Sequence, residues 1–255
     1  MRIDYYYWGR QCPHNLPSRD SLERLRAEGH EVAWFDVTGN EELASSVNMF
    51  SPTLTIVDGK GRWHGPLFSP FAAAVARGEM PRQEPYRVKM SSRVVRASLA
   101  PLTGQWVADT REVCGVSHQG CAGKGPWVQE IMKQYQLPHL GFLHYREGKC
   151  IGGAEFVPSV EVPYRIPRRK NTAFLTCSFV SLEEADYRSF PLERLEEALP
   201  GLGYRTLLAI ASEEVVFPNG PLEWFLKRGY RDRGVVHEED EYARMHLVEK
   251  ELQEA

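Results

Sequence analysis

Apolar residues along this chain fall into short runs, some alternating and some spaced by three to four, so the pattern predicts many brief strands and helices. Arg2 to Trp8 carries Ile3 and an aromatic cluster and reads as a strand. Ser21 to Glu28 places Leu22 and Leu25 at helical spacing before Gly29 stops it. Glu31 to Val37 is a second strand, Glu41 to Val47 a short helix, and Leu54 to Val57 a third strand ending in Asp58-Gly59. A fourth strand near Trp63 and a helix from Pro70 to Arg77 close the series. The expected order over the first third is β, α, β, α, β, β, α.

A polar, proline-bearing stretch from Arg77 through Glu84 and Pro85 then separates this series from a second one. Val94 to Leu99 is expected to be a strand, with helical segments around Trp106 and Val107 and over Trp127 to Tyr135. Strands follow at Gly141 to Tyr145, Cys150 to Phe156 and Thr172 to Val180. Leu192, Leu195, Leu199 and Leu202 mark a helix, Thr206 to Ala211 a buried strand, and Pro221 to Arg228 a helix stopped by Gly229. A hairpin through Val235 and Tyr242 to Val248 completes the chain. The division predicts two α/β domains, residues 1–80 and 86–255.

Composition adds few constraints. A length of 255 residues accommodates two cores, and 42% hydrophobic with 25% charged residues is ordinary for a globular protein. The net charge of -3 gives no global footprint for nucleic acid, and no apolar run is long enough to cross a bilayer, so neither nucleic acid nor membrane is an expected partner. The five cysteines are irregularly spaced and no export signal precedes them, which points to reduced thiols in the cytoplasm.

Two signals in the first third fall at matching places. Cys12-Pro13-His14-Asn15 lies between the first strand and first helix, and Ser51-Pro52-Thr53 stands before the third strand. Together with the element order they resemble the thioredoxin superfamily. At a helix N-terminus, free N–H groups and the helix dipole would stabilise the Cys12 thiolate. Asn15 occupies the position of a resolving cysteine, so an internal dithiol cycle at this motif is excluded; single-thiol chemistry and an inert, partly buried cysteine are the two readings that remain.

In the second series, a long strand feeding a helix and the later Trp224-Phe225-Leu226-Lys227-Arg228-Gly229-Tyr230 resemble the GNAT superfamily of acyl-CoA N-acyltransferases. Cys114, Cys121, Lys124 with Trp127, Gly141-Phe142 and Phe174-Leu175-Thr176-Cys177 are similar to a bacterial branch that fuses such a domain to a thioredoxin-like module, there in the opposite order. The resemblance implies acetyl-CoA as donor and an amine of a small molecule or protein as acceptor. Its pantetheine arm would run along the strand bearing Cys177, Phe179 and Val180. Its pyrophosphate would lie at the head of the next helix, over Arg188, Ser189, Phe190 and Leu192, where Pro191 and Glu193 replace the family's small residues. An alternative for that segment is an ordinary helix start capped by Ser189. Phe225 stands where many members carry a proton-donating tyrosine. Glu155 is the first candidate base and His144 the second; Tyr187 and Tyr204 could supply a phenol.

Three further patterns carry possible chemistry. Cys114, His118 and Cys121 have metal-ligand residue types at an unusual spacing, against which stands a reading of buried thiols beside a surface histidine. The basic run Arg165, Arg168, Arg169 and Lys170 and the acidic run Glu238, Glu239, Asp240 and Glu241 read as solvated hairpin tips. Acyl transfer is the leading expectation. Its rivals are a protein that binds a ligand or partner without turnover, and redox or metal sensing through Cys12.

Overall fold

The computed structural model describes residues 1–67, 69–83, 91–114, 118–180, 185–213, 219–239 and 243–253. Strand β1 (Arg2–Tyr7) lies inside a four-stranded sheet. It pairs in parallel with β2 (Glu31–Asp36) and antiparallel with β3 (Thr53–Val57), which pairs antiparallel with β4 (Gly61–His64). A parallel neighbour requires a crossover, and α1 (Asn15–Ala27) supplies it. This helix starts earlier than its leucines suggest, because Pro17 falls in the first turn, where no N–H is needed. α2 (Glu41–Ser46) is capped by Asn40, whose side chain accepts from Leu43 N at 2.9 Å. α3 (Ser69–Ala76) closes the series in the expected order.

Alternation along β1 sends its two sets of side chains to different cores. Ile3 and Tyr5 pack with Leu22, Leu25, Trp63, Phe71 and Val75 beneath α1 and α3. Tyr6 and Trp8, with Val37, Met49, Phe50 and Leu54, join the apolar cluster of the second sheet. The two sheets therefore share one core.

The second sheet has seven strands: β5 (Ser98–Pro101), β6 (Gly141–Arg146), β7 (Lys149–Pro158), β8 (Thr172–Val180), β9 (Thr206–Ser212), β10 (Arg231–Glu239) and β11 (Ala243–Glu251), in spatial order β10-β11-β9-β8-β7-β6-β5. β5 begins later than the sequence pattern suggests, and Val94 makes only an isolated bridge to Asp186. Before β6 come a 3-10 turn at Val107–Thr110, α4 (Arg111–Cys114) and α5 (His118–Tyr135). α6 (Ser189–Ala198) crosses between β8 and β9, and α7 (Leu222–Leu226) precedes β10.

Every neighbouring pair in this sheet is antiparallel except β8 and β9. Those two register over Thr172, Ala173 and Phe174 against Thr206, Leu207 and Leu208, and then part. The Asn219–Pro221 segment enters the gap. Asn219, 1% exposed, donates from Nδ2 to Leu175 O at 3.2 Å and Ile210 O at 3.3 Å, while its Oδ1 accepts from Ser178 N at 3.2 Å. Ser212 N donates to Gly220 O at 3.3 Å. One buried amide thus satisfies backbone groups on both diverging strands.

One residue from each charged run serves the junction between the sheets. Arg168 reaches Glu41 of α2 at 3.2 Å, and Tyr164 packs edge-on against Trp8 at 5.6 Å. Glu239 pairs with Arg62 and His64 of β4, and Phe50 stacks on His237 at 6.2 Å. Glu239 is therefore an interface residue rather than part of a solvated turn, because the hairpin β10–β11 folds against β4. Asp240 and Glu241 lie outside the described residues, as does the expected linker core around Glu84 and Pro85.

Two outcomes follow from these contacts. Asn219→Ala strands three buried backbone groups at about 1–3 kcal/mol each, so the unfolding free energy from urea titration should fall by several kcal/mol in all; a change below about 1 kcal/mol would mean the parting is held by other contacts. Burial lowers His64 to about 4, with Arg62 and His237 adding to it and Glu239 opposing. Burial pushes the Glu239 carboxyl up, but His237, His64 and Arg62 outweigh it and hold it below its usual value. Unfolded His64 takes a proton near its ordinary value of about 6.5 and the folded residue resists until about 4, so this stability is complete above neutral pH and lost on acidification through that window. The loss is on the order of 3 kcal/mol, and His64→Gln should flatten it in urea titrations across pH.

Candidate functional site

A β-bulge builds the centre of the site. Glu155 on β7 pairs with Cys177 on β8, whereas the next residue, Phe156, pairs with Leu175. Thr176 is the extra residue, so Thr176 and Cys177 together oppose Glu155. Glu155 is 0% exposed and carries three donors: Thr176 Oγ1 at 2.7 Å, Gln11 Nε2 at 3.1 Å and Lys124 Nζ at 2.6 Å. Gly141 on β6 lies directly across from it at φ 136°, where a Cβ would collide with the Ala154 carbonyl oxygen. Only glycine lets β6 approach β7 at this point.

Lys124 reaches the carboxylate from α5. Gly104 and Gly125 bring that helix close to the preceding turn, since a Cβ on Gly125 would lie 2.9 Å from Gly104 O. The Lys124 side chain is 6% exposed, and Nζ lies 5.5 Å from the Trp127 ring centroid. Burial opposes the ammonium, but Glu155 first, then Cys177 and Cys12, outweigh it and raise its pKa. Burial likewise pushes the Cys177 thiol up to about 12, with Lys124 pulling it down and Glu155 and Cys12 pushing it further up.

The third contributor is the turn between β1 and α1. Gln11 is 2% exposed, and Cys12 follows it, half-buried. α1 begins at Asn15, whose N–H donates to Cys12 O at 3.1 Å, so Cys12 sits in the turn before the helix and not at its first residue. Asn15 serves this turn: its Nδ2 donates to Gly9 O at 2.9 Å and its Oδ1 accepts from Tyr5 Oη at 3.3 Å. Trp8 N donates to Pro52 O at 3.0 Å, which brings the Ser51-Pro52-Thr53 segment alongside. A negative charge on Cys12 is felt by Lys124, Cys177, Tyr164 and Tyr5. Gln11 Oε1 and Ser178 Oγ are buried, with no hydrogen-bond partner among the described residues.

Glu155, Cys177 and Cys12 are thus brought together, and Arg188, Ser189, Phe190 and Leu192 lie apart at the head of α6. Asp186, not Ser189, caps that helix: its Oδ1 accepts from Arg188 N at 3.1 Å and Ser189 N at 2.9 Å, and its Oδ2 from the Ser189 hydroxyl. Arg188 turns inward, its guanidinium 4.7 Å from the Trp224 ring and 3.4 Å from Asn219 O. Arg228 lies over the same ring at 4.3 Å and reaches Asp186 at 3.3 Å. Leu192 is core, and Phe225 packs edge-on against Tyr230 at 5.0 Å. His144 accepts from Ala97 N at 3.2 Å and faces Tyr187 O at 2.9 Å, so both ring nitrogens are engaged; burial lowers its pKa. Tyr187 and Tyr204 are buried, and burial pushes Tyr204 up to about 12.

The side chains of Phe179, Val180, His118 and Cys121 lie outside the described residues. Among the described residues no group of three or more His, Cys, Asp or Glu could hold a metal. Likewise, no helix among them is long and apolar enough to cross a membrane. Sequence reasoning did not find Gln11, Asp186 or Asn219 as parts of these sites, and Thr176 entered only through a resemblance. Lys124 was noted only through a resemblance.

No protein-family model matches the chain, and no curated protein matches it. Solved structures with a related fold include an N-acetyltransferase from Staphylococcus aureus Mu50, 15% identical over 62% of this chain and 100% of that one, with a TM-score of 0.47. A ribosomal-protein-alanine N-acetyltransferase from Brucella melitensis is 14% identical over 61% and 99%, with a TM-score of 0.46. A PaiA N-acetyltransferase from Thermoplasma acidophilum in complex with coenzyme A is 13% identical over 62% and 99%, with a TM-score of 0.42.

Breaking one side of a buried ion pair leaves an uncompensated charge. Lys124→Met should therefore cost about 3–5 kcal/mol in urea unfolding, and the double variant Lys124→Met/Glu155→Leu should lose much less than the sum of its single changes. A single-variant loss below about 1 kcal/mol would mean that the pair is solvated.

Proposed function

We propose that this chain is an acyltransferase of GNAT-like build, moving an acetyl group from acetyl-CoA to an amine of a small molecule or protein, with a thioredoxin-like N-terminal module against its sheet. The observation that carries this reading is the parting of β8 from β9 after three registered pairs, next to a bulge that faces a buried carboxylate and ammonium. An extended thioester arm would pair along this edge by taking over the Leu175 O and Ser178 N groups that Asn219 holds. The β2-β1-β3-β4 order, with only β1 and β2 parallel, supports the N-terminal assignment.

In this reading Glu155 accepts the proton released by the attacking amine. Lys124 neutralises the departing thiolate, a task for which Phe225 has no hydroxyl. Buried groups fixed before the reaction stabilise charge as it develops without rearranging. The strand edge takes the arm once Asn219 gives up those groups. The head of α6 does not fit a pyrophosphate, because Asp186 already holds the N–H groups of Arg188 and Ser189 and sets a negative charge where phosphate would approach. Phosphate recognition in this reading falls to other residues.

The test is the melting temperature with and without millimolar acetyl-CoA. Binding to the native state at about a hundred times Kd adds about 2.7 kcal/mol, so a rise of about 5 °C or more is expected. No rise with acetyl-CoA would remove the acyl-transfer reading and leave thiol chemistry at Cys12, which its placement beside Lys124 favours as the second reading.

A further inference from the structure

We infer that the first acceptor of the acyl group is the chain's own Cys12 thiol, so that the N-terminal module carries the acyl group as a cysteine thioester. This rests on the acyl-transfer reading and concerns where the group goes. The face of the second sheet that bears Glu155 is covered by the turn holding Gln11 and Cys12. Gln11 is bonded to Glu155 at 3.1 Å, and Trp8 packs against Trp127 at 6.0 Å and Tyr164 at 5.6 Å. A bulky external acceptor would have to displace that wall, whereas Cys12 is already within it.

Among the described residues, Lys124 and Cys177 at the centre are held in unreactive forms. Glu155 keeps Lys124 as an ammonium, which has no lone pair to attack a carbonyl. Burial keeps Cys177 a thiol. Cys12 is half-buried in the turn whose Gln11 is bonded to the same Glu155 that Lys124 meets. Asn15 removes the neighbouring thiol that would compete by forming a disulfide.

A second observation points to the donor. Gln11 is 2% exposed and its Nε2 is committed to Glu155, yet its Oε1 has no donor among the described residues. A buried amide oxygen on the residue before Cys12 calls for an N–H from outside, and the amides of a pantetheine arm provide one.

The step balances without a further reactant. The Cys12 thiolate attacks the thioester carbonyl, the new carbon–sulfur bond forms, and the bond to the donor thiol breaks. The donor sulfur leaves with the electron pair and takes up the proton that Cys12 released. One thioester replaces another, so the exchange is close to isoenergetic and the acyl group remains available for transfer onward.

The experiment incubates the full chain with acetyl-CoA, without added amine, and reads intact mass and peptide maps while a parallel melt reports binding. The expected result is one acetyl group on the peptide containing Cys12, removed by neutral hydroxylamine, lost in Cys12→Ala and kept in Cys177→Ala. A melting rise without an adduct on Cys12 overturns the inference and leaves the acyl-transfer reading standing. A hydroxylamine-stable mark on a lysine overturns it in favour of direct transfer to an amine. Neither a rise nor an adduct removes both.

Discussion

The buried pair between Lys124 and Glu155 is the constraint around which the rest is arranged. Taking both charges out of water is costly, and a 2.6 Å contact offsets that cost only when the remaining hydrogen-bonding capacity is also met. Thr176 and Gln11 meet it from two different directions. Each partner imposes a demand on its own element. Thr176 needs the bulge, Gln11 needs the turn before α1 pressed against the sheet, and Lys124 needs the close approach of Gly104 and Gly125. The glycine at position 141 belongs to the same set, since it lets the neighbouring strand close behind Glu155.

The same logic of internal compensation recurs at the two other polar centres. Asn219 replaces the missing ladder between β8 and β9 with one side chain, and Asp186 supplies the anion at the head of α6. Both keep an irregular feature stable from within. The parted strands persist without a ligand, and the helix start is satisfied without a phosphate.

Much of the fold was legible in the sequence because strand and helix signals are local. The leucines at 192, 195 and 199, the alternation through β1 and the glycine stops at 29 and 229 each declare an element within a few residues. The start of α1 was missed because its first turn has no apolar stripe. The site was legible only in pieces. Glu155, Cys177 and Cys12 each stood out by residue type, but their meeting depends on a bulge register and on packing between sheets, neither of which leaves a periodic mark. Gln11 in a turn, Asn219 before Gly-Pro and Glu239 inside an acidic run all read as ordinary surface positions. Tertiary contacts alone give them work to do.

The shared apolar core bears on ancestry as well as on stability. The order of elements is that of two modules joined end to end, each with a sheet of its own. Yet Tyr6, Trp8, Phe50 and Leu54, in or beside the first sheet, are buried among residues of the second, and a partner cut away from them would expose that whole face. Neither half can be transplanted as a cassette without rewriting its inner face. Once two sheets have grown a common interior, the two parts of the chain can no longer be inherited, lost or exchanged one at a time.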